Sequence, residues 1–241
     1  MINLKRFFLL TLSLLFTIYS YSQREDDIKF QNPKSEVNSL SNFNPTMIGG
    51  SYIYNKERPT IKNAGKIGIK GSFYLYNKWD NRSTIISQSE KAYEINNLNF
   101  DLEEGKFLSK ISEDSVYVYK DLKAVNVKEK YFINIEGSYY EELYKGGKYS
   151  FYKKYSGKII PPLMNKMTNQ QIKPGEFVKK VDYYIRENNN LKEISLNKRQ
   201  VLKKIKREDK SKVIFYIKEN NLSLKNEIEV IDLLKHINDL K

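Results

Sequence analysis

The chain has 241 residues and a net charge of +13, with no cysteine and a single histidine, His236. The lack of cysteine excludes disulfides, thiol nucleophiles, thiolate metal sites and the lipid-attachment cysteine of bacterial lipoproteins. One histidine near the end of an amphipathic helix supports neither a Ser-His-Asp triad nor a typical zinc site. We therefore expect no cofactor and no metal site.

The first 22 residues have the layout of a secretory signal peptide. Lys5 and Arg6 form a positive n-region, residues 7–18 form a short apolar h-region, and residues 20–22 form a small-x-small cleavage site. The h-region is too short to span a bilayer, which needs about 20 apolar residues, and no later stretch comes close. We expect cleavage before Gln23 and an exported chain, periplasmic or extracellular, without a transmembrane segment.

After the signal, residues 23–47 are polar and without periodicity, which predicts a mobile N-terminal segment. Residues 48–194 then alternate with a period of two, which predicts a domain built from an antiparallel β-sheet or a partly open β-barrel. The clearest alternation, in residues 97–103, predicts four polar side chains facing water (Asn97, Asn99, Asp101, Glu103) and three apolar ones facing inward (Leu98, Phe100, Leu102).

A β-hairpin is predicted between residues 139–144 and 148–155. Both runs are rich in aromatic residues, and Gly146 and Gly147 between them could adopt the positive φ of a tight turn. Two prolines at 161–162 are expected to end the sheet, and residues 177–185 to resume it.

Residues 195–241 change to a helical period and predict a small three-helix unit packed on or beside the sheet. Ser195 can cap the first helix, and Asp209 or Ser211 the second. The third, Lys225 to Leu240, has one apolar stripe made of four residues (Ile228, Ile231, Leu234, Ile237). The fold class is therefore α+β, a sheet domain followed by helices.

The positive charge is concentrated in the C-terminal part, where residues 145–241 carry 23 basic and 11 acidic side chains. Residues 198–212 are the densest stretch, with eight basic and two acidic side chains. We call these residues the basic stretch. Six of its members are candidate binding residues: Lys198, Arg199, Lys203, Lys204, Lys206 and Arg207.

Such a cluster can attract an anionic envelope surface, either lipopolysaccharide or phospholipid headgroups, or it can be a plain solvated helix face. Another envelope protein is a further possible partner. Nucleic acid is not expected, because no aromatic RNA-binding signature accompanies the charge.

Tyrosine pairs recur at strand spacing: Tyr52 and Tyr54, Tyr74 and Tyr76, Tyr117 and Tyr119. On strands each pair would share one face, so a sheet could display a tyrosine stripe that stacks on sugars or an extended peptide. Tyr74, Tyr76, Tyr117 and Tyr119 are accordingly candidate binding residues. The alternative is that these rings are half-buried packing residues.

Two pairs of neighbouring carboxylates, at 103–104 and 141–142, could suggest glycosidic acid–base chemistry. Adjacent residues on a strand point to opposite faces, so the two members of a pair cannot line one site. We expect surface acids, with a turn at Glu104-Gly105.

Five segments together resemble an uncharacterised group of exported proteins from Bacteroidetes-type bacteria. They are residues 71–75 followed by Trp79-Asp80-Asn81, residues 95–100, residues 140–144 and residues 217–223. The group usually has proline where this chain has Phe73. The resemblance covers most of the expected mature chain and implies export, but no activity, cofactor or catalytic residue.

The sequence therefore favours a non-catalytic exported envelope protein with a binding or structural role. The alternative is a carboxylate-dependent hydrolase acting on an envelope or extracellular polymer, which would require two acids from different strands to converge in a cleft.

Overall fold

Strands, nearly all of them antiparallel, are the commonest element of the described chain, and three helices end it. The computed structural model describes residues 52–55, 69–112 and 115–239. All of them fall within one compact unit, Val37–Lys241. The predicted signal peptide, residues 1–22, and the predicted mobile segment, residues 23–47, lie outside the described residues.

The strands described are short at first and become long toward the helices. They are β1 Tyr52–Asn55, β2 Ile69–Lys70, β3 Ser83–Ile86, β4 Ala92–Ile95, β5 Leu98–Asp101, β6 Lys106–Lys110, β7 Ser115–Val118, β8 Ala124–Val127, β9 Lys130–Ile135, β10 Ser138–Tyr144, β11 Tyr149–Ile160, β12 Leu163–Met164, β13 Gln171–Lys173, β14 Gly175–Glu187 and β15 Asn190–Ile194. The helices are α1 Lys198–Lys204, α2 Lys210–Glu219 and α3 Glu227–Asp239.

Most of these strands form one large open sheet in the order β15-β14-β11-β10-β9-β8-β3-β4, with β2 parallel to the start of β14. A smaller sheet has the order β1-β7-β6-β5, and β12 and β13 form a separate hairpin. The large sheet does not close, and three C-terminal helices follow it, which confirms the α+β fold class.

Strands β5, β6 and β7 of the small sheet are buried on both faces. Phe100 and Phe107 pack toward Phe132 of the large sheet, while Leu108 and Val118 pack on the other side with Trp79.

The prediction that Asn99 and Asp101 face water is therefore wrong, because both side chains are fully buried. The connection before β3 covers them and satisfies Asn99, whose Oδ1 accepts the Tyr76 N–H and whose Nδ2 donates to the Tyr76 carbonyl. The Asp101 carboxylate accepts the N–H groups of Glu103 and Glu104.

The predicted β10–β11 hairpin is present, but its glycines act differently from the prediction. Neither Gly146 nor Gly147 is among the described residues with positive φ. A Cβ on Gly146 would instead collide with the side chain of Asn238 and lie 2.5 Å from the Tyr149 carbonyl oxygen. Glycine is needed there because α3 approaches the turn closely, and Asn238 Oδ1 accepts the N–H groups of Lys148 and Tyr149.

The helices begin near the predicted caps. Asn197, not Ser195, caps α1 by accepting the Gln200 N–H, and Asp209 occupies the N-cap position of α2. In α3 the buried residues are Val230, Leu233, Leu234 and Ile237. Ile228 is 80% exposed, so its place in the predicted stripe is wrong. The buried face of α3 includes Val230 and Leu233 beside Leu234 and Ile237, so it is rotated about the helix axis away from Ile228. None of the described helices is long and apolar enough to cross a membrane.

Two separate cores lie on the same face of the large sheet. In the first, Phe132 of β9 packs against the small sheet; in the second, Phe151 and Ile185 pack against the helices. In the register Phe132 pairs with Glu141, and Glu141 pairs with Lys153. Phe151, two residues before Lys153 on β11 and therefore on the same face, pairs with Ile185. Directly paired residues share a face. Between the two cores, that face carries polar side chains.

Candidate functional site

The basic stretch runs along α1, the connection after it and the start of α2. Val201 and Ile205 are buried in the helical core, so α1 is fixed on the sheet. Asn197 at its N-cap and the 3.6-residue period direct the charged side chains outward. Lys198, Arg199, Lys203, Lys206 and Arg207 are exposed. Lys204 is half-buried.

The two acids of the basic stretch do not neutralise its own lysines. Both face Lys148 of the β10–β11 turn, whose Nζ lies 2.7 Å from Asp209 Oδ2 and 3.5 Å from Glu208 Oε1. Lys206 is 3.6 Å from Glu187 of β14. The other exposed cations of the stretch have no ion pair with any described residue, so the predicted positive surface is present and open to solvent.

The tyrosine stripe predicted at Tyr117 and Tyr119 does not form on the surface. Both rings are buried in the first core, 4.9 Å apart and edge to face, because β7 is an inner strand of a sheet covered on both sides. The Tyr119 hydroxyl lies 3.0 Å from Ser109 Oγ. These two residues are core residues, and neither is more than 5% exposed.

Tyr74 and Tyr76 lie in the connection before β3 and not on a regular strand. Tyr74 packs edge to face on Trp79 at 4.9 Å, and Tyr76 packs against the first core with Lys128 over its ring. Both are half-buried, as in the packing alternative. For Tyr52 and Tyr54 the structure describes the strand β1 but not the side chains.

A polar cluster that the sequence did not indicate fills the space between the two cores. We call it the bridging cluster: Lys130, Glu141, Lys153, Tyr155, Tyr183 and Glu227. Its members come from β9, β10, β11, β14 and the first turn of α3.

One half of the bridging cluster is centred on Glu141. Lys130 Nζ donates to both carboxylate oxygens of Glu141, at 2.9 and 3.0 Å, and to the Tyr155 hydroxyl at 2.7 Å. The Tyr155 hydroxyl in turn donates to Glu141 Oε2 at 2.6 Å. Burial, and then the hydrogen bond and charge of Glu141, raise the pKa of Tyr155, so this hydroxyl keeps its proton.

The other half is centred on Glu227 at the N-terminus of α3. Its Oε1 accepts from Lys153 Nζ and from the Tyr183 hydroxyl, each at 2.7 Å. Burial by itself would raise the pKa of Glu227, but the bonds from Lys153 and Tyr183 and the Lys153 charge outweigh it and lower the pKa. The positive end of the helix dipole also favours a carboxylate at this position.

The expectation that both carboxylate pairs are surface acids is wrong for Glu141, which is buried in the bridging cluster, but the two members of that pair point apart as expected. Glu141 pairs with Lys153 in the register and Glu142 with Tyr152, so the two side chains point to opposite faces of the large sheet. Glu103 and Glu104 are exposed in a turn in which Gly105 has a φ of +67°. Burial raises the pKa of Glu142, but this carboxyl is turned away from the bridging cluster.

A small open pocket lies beside the β9–β10 turn, with a volume of about 160 Å³. Its lining includes Tyr119, Asn134 and Tyr139. Ligand pockets usually hold about 300–1,000 Å³. This pocket is too small for a polymer segment and holds no pair of carboxylates.

Comparison with known proteins adds no relative. No family model, no curated protein and no solved structure matches the chain. The candidate site therefore rests on its own geometry, and the two features with chemical content are the basic stretch and the bridging cluster.

The bridging cluster escaped the sequence analysis because its members are far apart in the chain and lie on different elements. The available signal was weak: Glu141 and Lys153 are charged residues at strand positions whose neighbours two residues away are apolar or aromatic. A charged residue on the inward face of a strand requires a partner there. Only the register identifies which partner it finds.

Proposed function

We propose that this protein is an exported, non-catalytic binding protein of the bacterial envelope that attaches to an anionic surface, lipopolysaccharide or phospholipid headgroups, through its basic stretch. Export and location, periplasmic or extracellular, are part of the proposal and follow from the signal-like residues 1–22. The resemblance to exported Bacteroidetes-type proteins agrees with them.

The observation that carries the proposal is the open positive surface on α1. Its cations are held on a helix fixed by buried Val201 and Ile205, and the nearby acids are bound to Lys148. Each lysine or arginine near an anionic surface contributes on the order of 1 kcal/mol, so four of them supply a useful fraction of a binding free energy.

The hydrolase alternative draws its support from the bridging cluster, where carboxylates from β10 and α3 share a group of lysines and tyrosines. A glycosidase needs one carboxyl with a raised pKa to protonate the leaving group. The pKa of Glu227 is lowered, and Glu142, whose pKa is raised, faces away. These pKa directions favour binding over hydrolysis. Release of reducing ends from envelope polysaccharide that is lost in Glu141→Gln would decide for the hydrolase.

The test of the proposal is a charge-reversal variant with a matched control. The test variant changes Lys198, Arg199, Lys203 and Arg207 to Glu, all exposed and without a described ion pair. The control changes four exposed lysines elsewhere, Lys70, Lys78, Lys91 and Lys145, and alters the net charge by the same amount.

Co-sedimentation with lipopolysaccharide or anionic vesicles should show binding by the wild-type protein and by the control at low salt, and a loss of at least about a hundredfold in affinity for the test variant. Binding should also weaken steeply with salt, since the Debye length falls from about 10 Å at 0.1 M to about 3 Å at 1 M. Absence of wild-type binding at low salt, or equal losses in the two variants, would contradict the proposal.

A further inference from the structure

Residues 161–174 form a projecting hairpin at the end of the long β11–β14 ladder. We call it the tip hairpin. The ladder ends at the pair Ile160–Glu176, and β12 and β13 then pair only with each other. No described strand or helix outside the ladder makes a substantial set of contacts with them.

The apex of the tip hairpin is fixed by Asn165. Its side-chain Oδ1 accepts the N–H groups of Met167, at 2.9 Å, and Thr168, at 3.2 Å. Its backbone N–H donates to the Gln170 carbonyl, and its own carbonyl accepts from the Asn169 N–H. The turn therefore holds Met167 at the apex, where 95% of its surface is exposed.

The apolar side chains of the tip hairpin are uncovered on both strands as well as at the apex. Leu163 and Met164 of β12 are 56% and 44% exposed, and Ile172 of β13 is 62% exposed. Soluble proteins rarely expose contiguous apolar groups of this kind unless they meet a partner or a membrane.

Both charged residues of the tip hairpin are positive. Lys166 and Lys173 are exposed, and residues 161–174 contain no acidic residue, whereas exposed Glu176 pairs with Ile160 at the base of the hairpin. Apolar side chains bordered by lysines match the boundary between the acyl chains and the headgroups of an anionic bilayer.

We propose that the tip hairpin inserts Met167 and its apolar neighbours into the headgroup–acyl boundary of an anionic phospholipid bilayer, with Lys166 and Lys173 on the phosphates. A fluid bilayer can surround a projecting tip whose apolar groups point in several directions, whereas a protein partner would need a groove shaped around it. The inference does not rest on the proposed function, because it uses a different surface.

The basic stretch and the tip hairpin lie at opposite ends of the β11–β14 ladder. Tyr149, whose hydroxyl accepts the Lys206 N–H of the basic stretch, is at one end, and Ile160 is at the other. Eleven steps of about 3.3 Å separate them, or roughly 36 Å. A variant can therefore lose binding at one of these two surfaces while the other surface still binds.

A single-cysteine probe tests the insertion directly, because the chain has no cysteine of its own. Met167→Cys carries an environment-sensitive fluorophore, and Gln88→Cys carries the same label as a control, because Gln88 is exposed in the β3–β4 turn at the opposite edge of the large sheet from β14 and β15. Vesicles of phosphatidylcholine alone are compared with vesicles that also contain phosphatidylglycerol.

The label at position 167 should shift to the blue and brighten severalfold with the anionic vesicles only, and shallow lipid-attached quenchers should reduce its emission. The label at position 88 should not respond. An unchanged label at 167, or equal responses at both positions, would overturn the inference.

An apolar-to-polar variant provides a second measurement. Met164→Gln with Met167→Gln keeps the charge and should weaken anionic-vesicle binding at least tenfold, while Ile214→Gln with Phe215→Gln, on exposed positions of α2, should not. Retention of vesicle binding by the tip variant would overturn the inference. So would a wild-type dimer in sedimentation that only the tip variant dissociates, since the hairpin would then bind a second copy.

Discussion

At the scale of single residues, the clearest stability effect is expected at Gly146, because its neighbours leave no space for a side chain. Gly146 lies against the Tyr149 carbonyl and the Asn238 side chain, whereas a Cβ on the adjacent Gly147 would meet nothing within 4 Å. Gly146→Ala should lower the free energy of unfolding by about 1–3 kcal/mol, because the backbone of the β10–β11 turn must shift.

Urea unfolding of the two glycine variants checks this expectation. Gly147→Ala, the matched control, should stay within about 0.5 kcal/mol of the wild-type protein. Equal effects would mean that the close approach of α3 to the turn is not what requires glycine.

Glu227 gives the protein a defined acid sensitivity. Its pKa is lowered in the folded state, so the carboxylate stabilises the fold above its unfolded pKa of about 4.3 and loses that contribution as pH falls through the lower folded value. Glu227→Gln should therefore be less stable than the wild-type protein at pH 7, and the difference should shrink below about pH 4.

Chemical denaturation at the two pH values measures the difference. Glu176→Gln, which removes an exposed carboxylate from β14, should change stability little at either pH. A gap between Glu227→Gln and the wild-type protein that is constant with pH would show that the Lys153 and Tyr183 bonds do not depend on the charge of Glu227.

Among the elements, α3 does most to hold the helical unit on the sheet. Leu234 is fully buried in the helical core, while Ile228, on the same helix, is 80% exposed. Leu234→Ala should lower the free energy of unfolding by about 2–5 kcal/mol, since it removes buried methyl groups and leaves a cavity. Ile228→Ala should change it by less than about 0.5 kcal/mol.

Thermal and urea unfolding of this pair distinguish a packed helix from an exposed one. A small effect of Leu234→Ala, similar to that of Ile228→Ala, would mean that α3 does not pack on β10 and β11.

The whole molecule should unfold as one cooperative unit. Both cores use one face of the large sheet, and the bridging cluster joins them through side chains from β9 to α3. Trp79, the single tryptophan, packs beside the small sheet, whereas the helical signal comes from α1–α3. Tryptophan fluorescence and far-ultraviolet circular dichroism at 222 nm should therefore give the same midpoint.

The outcome against this expectation is a helical signal that disappears before the fluorescence changes. In that case Lys130→Met should separate the two midpoints further if the bridging cluster couples the cores. It should leave the two midpoints unchanged if the bridging cluster does not couple them.

The sequence by itself determined the local elements and the charge distribution. Period-two alternation indicated the antiparallel strands, and the change of period after residue 195 indicated the helices, because each backbone repeat fixes which side chains share a face. The position of the basic stretch on an exposed helix face followed in the same way.

Only the tertiary structure decided what covers each face. Asn99 and Asp101 alternate like surface residues, but both are buried: the connection before β3 bonds the Asn99 side chain, and the turn after β5 bonds the Asp101 carboxylate. Glu141 and Glu227 meet the same cluster because the register places β9, β10 and β11 side by side and α3 begins above them. Periodicity reports which residues share a face, whereas contacts between distant segments depend on the packing of whole elements, so no local pattern could indicate them.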